Sequence, residues 1–257
     1  MKPLPTTWTS RKLHTENTCV PIFGIEIEVD VPSGYRFGDS SFYEPHAELC
    51  ALLGAIDTDI YIQGDNSLSE FGIEIVSTPH SLQSHKKNLP WDKILSATRE
   101  YGYAAESSEF ACGLHIHVNR KSLGFDETQQ TTTIKRLLFI IHKCWIDFTK
   151  VSGRRAGLIQ TWSRKYNVDL TENLDKIYAD VIVENNSENG RRRVINFRNK
   201  DTIEFRLFNS TQNENTLFKR IELIENLVKF TRGTFCLSDS EFVGSFECRQ
   251  ISDLLFS

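Results

Sequence analysis

Four short segments of the sequence alternate strictly between apolar and charged residues, and this pattern constrains the fold more than any other feature. Because successive side chains of a β-strand point to opposite faces, each segment predicts a strand with one apolar face. The other face carries Glu, His and Arg, whereas an ordinary solvent-facing strand also carries Thr, Lys, Ser and Gln. The segments are FGIEIEVD (23–30), GIEIV (72–76), GLHIHVN (113–119) and TIEFRLF (202–208).

Between these strands, other segments have the spacing of amphipathic helices. The clearest are residues 125–151, with Asp126 as a candidate cap, and residues 210–230, where Thr211 and Glu214 have the spacing of a capping box. Three shorter segments also have helical character: residues 44–56, 90–102 and 171–185. Strands and helices do not alternate regularly, as they would in a doubly wound parallel sheet. We therefore predict an α+β fold with a mainly antiparallel sheet, helices on one face and the active site on the other.

Length and composition favour an ordinary globular protein. No interdomain linker is evident, so we expect one catalytic domain over residues 1–257. The net charge of −4 gives no reason to expect nucleic acid or a membrane as a partner. The N-terminus lacks the apolar core of a signal peptide, and the six cysteines form no CxxC pair, which favours reduced thiols in the cytoplasm.

The charged face of the strands predicts a metal site. Neighbouring glutamates on one strand repel each other unless a cation or an arginine lies between them. Carboxylates select hard cations such as Mg²⁺ or Mn²⁺, whereas zinc prefers clusters of Cys and His. Arg206 beside Glu204 offers a fork-shaped donor for phosphate, and the sequence contains no P-loop motif. These residues together indicate a nucleoside triphosphate site that is built on strands.

The motifs GIEIE, DNS followed by GIEIVSTP, GLHIHV, and TIEFRLFNST occur in this order along the chain. In this combination they resemble the amidoligase family, which is related to glutamine synthetase and glutamate–cysteine ligase. The resemblance covers about residues 22–232. It implies a glutamine synthetase-like catalytic domain that joins a carboxylate to an amine with ATP and Mg²⁺ or Mn²⁺.

The resemblance also implies a role for each matching residue. The metal ligands that it implies are Glu26, Glu28, Glu74, His115 and Glu204. The residues that it places at the nucleotide phosphates are His117, Arg193, Arg198 and Arg206. Arg206 is also expected to stabilise the transferred phosphoryl group. Asp65, in the DNS motif, and Glu70 are candidates for the base that accepts the proton of the amine.

Three other functions stay open at this point. A phosphotransferase of the guanidino-kinase type would release a stable phosphorylated product. A metal-dependent hydrolase would need no ATP, and a non-catalytic binding module would use the arginines at 191–193 as a contact surface. For the ligase, we expect ATP and a small-molecule or peptide carboxylate and amine as partners. The sequence names neither substrate and leaves a homo-oligomer open.

Overall fold

The structure is a computed structural model that describes residues 20–31, 43–105, 112–188 and 190–251. The strands are β1 (Ile22–Val29), β2 (Ile60–Gln63), β3 (Ile73–Ser77), β4 (His80–Ser81), β5 (Gly113–Asn119), β6 (Ile195–Asn196) and β7 (Thr202–Asn209). The helices are α1 (Tyr43–Ile56), α2 (Leu82–Lys87), α3 (Trp91–Glu100), α4 (Glu127–Lys143), α5 (Trp145–Ser152), α6 (Ala156–Trp162), α7 (Leu174–Asn185), α8 (Glu214–Gly233) and α9 (Asp239–Ser245).

These residues fall into two compact units. The first is built mainly from Ile22–Ile116 and Phe208–Arg220, and the second mainly from His117–Leu207 and Ile221–Ser257. Strands β5 and β7 therefore contribute residues to both units. The expectation of one catalytic domain stays a prediction.

In the first unit the strands neighbour one another in the order β2, β3, β1, β5, and β4 also pairs with β1. The pairs β1–β3, β2–β3 and β1–β4 are antiparallel, as predicted. The apolar side chains of the alternating segments are fully buried, as Ile25, Ile27 and Leu114 show. Burial of this face fixes the register, because a slip of one residue would turn the glutamates into the core.

In the second unit β6 and β7 are antiparallel neighbours, with Ile195 opposite Phe205. Of the segment RRVINFR (192–198), only Ile195–Asn196 forms a strand. His142 has a structural role: its Nδ1 donates to the Leu138 carbonyl (2.8 Å), and its Nε2 accepts from the Tyr166 amide (3.0 Å). Burial lowers the pKa of His142, which keeps the imidazole neutral in this role.

The helix ends confirm one predicted cap and correct another. The side chain of Asp126 accepts from the Gln129 amide (2.8 Å) at the start of α4. That helix ends at Lys143, because the backbone of Cys144 leaves the helical region (φ −101°, ψ 27°), and α5 begins as a separate helix. The prediction of a capping box at Thr211 was wrong. Helix α8 begins at Glu214, so Asn213 stands at the cap position and accepts from the Thr216 amide (2.9 Å).

The described residues contain no disulfide: their five cysteines, at positions 50, 112, 144, 236 and 248, are all thiols. Within the same residues, no helix has the length and apolar character to cross a membrane.

A fully buried carboxylate anchors the loop that leads into β3. Asp30 accepts hydrogen bonds from the Val31 amide (2.8 Å), the Ser69 amide (2.8 Å) and the Ser69 hydroxyl. Its backbone also pairs with Ala104 through two hydrogen bonds (2.8 and 3.0 Å). The loop that includes Asp65 and Glu70 is thus held against the end of β1.

Gly72, in the same loop, lies close to Asp30 and Leu68. A Cβ at this position would clash with the Cβ of Leu68 and would stand 3.1 Å from Asp30 Oδ2. We expect Gly72→Ala to lower the free energy of unfolding by about 1–3 kcal/mol, the usual cost of overpacking. Urea unfolding checks this. Gly54→Ala is the control, because nothing lies within 4 Å of the added methyl group. Equal stability of the two variants would contradict the anchoring role of Asp30.

Candidate active site

The register of the first unit places two glutamates directly opposite each other. Glu28 on β1 pairs with Glu74 on β3, and Glu74 in turn pairs with Gln63 on β2. The Gln63 amide donates to the Glu74 carboxylate, and the Gly113 backbone amide donates to the Glu28 carboxylate. Each buried carboxylate therefore has one neutral donor, which offsets only part of the cost of bringing two negative charges together.

His115 completes this cluster from β5. Its Nδ1 lies 3.1 Å from Glu26 Oε2, and its Nε2 lies 3.8 Å from Glu28 Oε1. One ligand atom each from Glu28, Glu74 and His115 lie within 4.8 Å of one another, and all three residues are at most 5% exposed. Within the first unit, the structure thus brings together four of the five residues predicted as metal ligands.

The crowding of carboxylates shifts the titration of Glu74. Burial, followed by repulsion from Glu26 and then from Glu28 and Asp65, raises the pKa of Glu74 to about 9, and the hydrogen bond from Gln63 opposes this shift only in part. Without a cation, this carboxyl group holds a proton at neutral pH. A group of this kind in a buried polar cluster is typical of a functional site.

The donor set of the cluster fits a hard divalent cation. Carboxylate oxygens dominate, and the single imidazole is a ligand that Mn²⁺ and Mg²⁺ sites accept beside oxygen. No thiolate belongs to the cluster, so its chemistry differs from that of a structural zinc site. Within the first unit, the residues that could hold the ion are Glu28, Glu74 and His115, with Glu26 hydrogen-bonded to the imidazole.

The second unit contains the remaining site residues that were predicted to lie on strands. His117 Nδ1 lies 3.1 Å from the Thr202 hydroxyl. Arg206 forms an ion pair with Glu204, two residues before it on β7, and the Asn196 amide donates to the same carboxylate (2.7 Å). Glu204 is buried, whereas the Arg206 side chain is 18% exposed. This part of β7 therefore presents an oriented guanidinium group.

The two upstream arginines are anchored to the end of α7. Arg193 forms an ion pair with Glu184 and donates to the Lys165 carbonyl (2.9 Å). Arg198 donates to the backbone carbonyls of Asn185 (3.0 Å) and Ser187. Their contacts in this structure are thus within the protein, and their predicted role at the nucleotide phosphates stays a prediction.

The two candidate bases lie in the loop that Asp30 anchors. Asp65 is half-buried, its side chain accepts from the Ser67 amide (2.6 Å), and its charge contributes to the raised pKa of Glu74. Glu70 is exposed and accepts from the Tyr43 hydroxyl (2.9 Å). Asp65 is therefore the one whose charge acts on the glutamate cluster.

Two residues of this site were not found by sequence reasoning. Gln63 ends a short alternating segment, IYIQ. This segment predicts a strand only weakly, and it does not indicate which strand it pairs with. Asp30 continues the alternation of Glu26 and Glu28, so its position on the same face could have been read from the sequence.

The fold is of the glutamine synthetase type, as predicted. A solved structure titled "Apo GmaS without ligand", itself glutamine synthetase-like, matches with a TM-score of 0.50 and 12% sequence identity. The match covers 92% of this chain but 62% of that one, so the chain spans about three fifths of its length. At this identity the likeness shows the fold alone.

The chain belongs to the amidoligase family. Residues 38–228 match the model of the family that is described as "Putative amidoligase enzyme", which is more than half of the chain. The predicted resemblance is thereby confirmed. No curated protein matches the sequence.

The raised pKa of Glu74 makes stability and metal binding depend on pH. In the unfolded chain the pKa of a Glu is about 4.5, whereas in the folded protein the pKa of Glu74 is raised to about 9. Its contribution to stability is therefore greatest at low pH and falls as the pH rises from about 4.5 to about 9. Because a cation displaces this proton, we expect Mg²⁺ to raise the melting temperature more at pH 8.5 than at pH 6. Calorimetry in buffers of different ionisation heat should detect the released proton.

The matched variant is Glu74→Gln, which keeps the shape of the side chain but cannot ionise. We expect it to remove the released proton and most of the pH dependence of the Mg²⁺ effect. A stabilisation by Mg²⁺ that is equal at both pH values in the wild-type protein would contradict the assignment.

Proposed function

We propose that this protein is an ATP-dependent carboxylate–amine ligase that forms an amide bond through an acyl phosphate, with Mg²⁺ or Mn²⁺. The observation that carries the proposal is the buried cluster of Glu28, Glu74 and His115 in a member of the amidoligase family. A cluster of this kind holds a cation, and the family supports a ligase-type enzyme.

The metal would be held by Glu28, Glu74 and His115, and Glu26 would orient the imidazole through its hydrogen bond. When bound, a divalent cation neutralises charge on the phosphate oxygens of ATP. We propose Glu204 as a further metal ligand, in keeping with the family motif. Gln63 and the Gly113 amide orient the ligand oxygens of the two opposed glutamates.

In the proposed reaction, a substrate carboxylate oxygen attacks the γ-phosphorus of ATP, and ADP leaves. The amine then attacks the carbonyl carbon of the acyl phosphate, inorganic phosphate leaves, and the amine loses a proton. We propose that Arg206 stabilises the transferred phosphoryl group, and that His117, Arg193 and Arg198 bind the nucleotide phosphates. Asp65 is the preferred base and Glu70 the second candidate, since Asp65 acts electrostatically on the cluster.

The setting of the reaction belongs to the same proposal. We propose that the chain acts as a single catalytic domain in the cytoplasm, on small-molecule or peptide substrates, without nucleic acid or membrane as partner. The net charge of −4 supports this choice of partners.

Removal of one buried glutamate should abolish turnover. We expect Glu28→Gln and Glu26→Ala to lower ATP-dependent phosphate release by about 100-fold or more, because loss of a ligand or of its orienting partner weakens the metal site. Phosphate release with Mg²⁺ and pools of carboxylates and amines is the assay. Glu100→Gln is the control, because Glu100 is exposed on α3.

The same assay separates the competing functions. A guanidino-kinase type of reaction would consume ATP but release no phosphate, and a hydrolase would act without ATP. Full ATP-dependent activity of Glu28→Gln would contradict the metal assignment. Wild-type protein that binds no ATP in the presence of Mg²⁺ would contradict the ligase.

Arg206 should act through its geometry as well as its charge. Lysine keeps the charge but loses the planar fork, so we expect Arg206→Lys to lower kcat by about 10²–10³-fold with a smaller change in the KM for ATP. Arg249→Lys is a matched control, because Arg249 also pairs with a glutamate two residues before it, and it is exposed. A change in KM alone would assign Arg206 to ground-state binding and contradict its proposed role.

A further inference from the structure

A cavity of about 660 Å³ lies in the first unit, between α3 and the segment that joins β7 to α8. Helix α3 lines it with Asp92, Ser96 and Arg99, and Ser210–Asn215 line the opposite side. This volume is within the range of pockets that bind small molecules.

The polar wall of the cavity is held in place by its own hydrogen bonds. Arg99 donates to the Gln212 carbonyl and to the Ser96 hydroxyl (2.8 Å). The side chain of Gln212 donates to the Tyr103 carbonyl (2.9 Å) and accepts from the Ala105 amide (3.2 Å). Because these side chains are fixed before a ligand arrives, binding costs little side-chain entropy.

The cavity adjoins the glutamate cluster through Glu28. The buried hydroxyl of Ser210, a lining residue, donates to the Glu28 carbonyl (2.5 Å). The Ser210 amide donates to the Cys112 carbonyl (2.9 Å), and the next residue, Gly113, donates to the Glu28 carboxylate. Ser210, in the wall of the cavity, is thus hydrogen-bonded to Glu28, a residue of the proposed metal site.

The charged side chains of the lining have opposite signs. Arg99 donates hydrogen bonds to two neutral acceptors, and Asp92 and Glu214 also line the cavity. Among the described residues, none of these three side chains forms an ion pair with another. The cavity therefore offers a guanidinium group for a carboxylate and carboxylates for an ammonium group.

We propose that this cavity binds a zwitterionic amino acid or a short peptide, with its carboxylate at Arg99 and its ammonium group at Asp92 and Glu214. The volume leaves room for a side chain or a second residue. The inference rests on the proposed function, because in a ligase this ligand would be the amine substrate, bound beside the metal site.

The test uses the full chain without ATP or metal. The protein is incubated with the twenty standard amino acids and with a mixture of all dipeptides built from them, and retained compounds are identified by ultrafiltration and mass spectrometry. We expect retained ligands with two free termini, and dissociation constants that rise about tenfold or more when either terminus is capped. In Arg99→Gln, amidation of the ligand's carboxylate should no longer raise the dissociation constant. In the double variant Asp92→Asn with Glu214→Gln, acetylation of the ligand's amine should no longer raise it.

Lys93→Gln is the matched control, because it removes a positive charge from an exposed position of α3 outside the cavity lining. Retention of no compound, or equal binding of capped and uncapped forms, would overturn the proposal. Since ATP and metal are absent from this assay, its failure is separate from failure of the ligase assay. A ligand that binds as expected to a protein that binds no ATP in the presence of Mg²⁺ would leave the cavity assignment standing and contradict the ligase.

Discussion

The candidate site is built around one unfavourable interaction: Glu28 and Glu74 lie opposite each other in a buried part of the sheet. Two carboxylates in this position cannot both ionise without a compensating positive charge, and the raised pKa of Glu74 records that cost. A fold tolerates such a pair only if another interaction offsets this free-energy cost. A divalent cation bound by Glu28, Glu74 and His115, as we propose, would do this directly.

Several neighbouring groups hold this unfavourable arrangement in place. The Gln63 amide and the Gly113 amide each support one carboxylate. Asp30, directly after β1, is fully buried and anchors the loop that carries Asp65. These groups orient the oxygens before a cation binds, so the site needs little rearrangement to hold one.

The alternation of the strands was sufficient to predict the face that carries Glu26, Glu28, Glu74 and His115, because period-two patterning follows from strand geometry alone. Which glutamates stand opposite each other depends on strand register, and the pairing of Glu28 with Glu74 and of Glu74 with Gln63 could not be read from local sequence. The mixture of strands and helices predicted the α+β class, and the family resemblance added the glutamine synthetase type.

Other features were misjudged because nearby residues compete for the same role. Thr211 and Asn213 can both cap a helix, and only the position at which α8 begins decides between them. Arg193 belongs to the run of three arginines that a binding module would use as a contact surface, yet it is 9% exposed and pairs with Glu184. The cavity beside Glu28 arises from the approach of α3 to a distant segment, and no local pattern indicates it.

We propose that Glu28, Glu74 and His115 hold a divalent cation, and pulsed electron paramagnetic resonance of bound Mn²⁺ tests this assignment. We expect the wild-type protein to bind Mn²⁺ with a directly coordinated imidazole nitrogen, and this nitrogen coupling to disappear in His115→Gln while Mn²⁺ still binds with lower affinity. Absence of Mn²⁺ binding, or a nitrogen coupling that is unchanged in His115→Gln, would contradict the assignment.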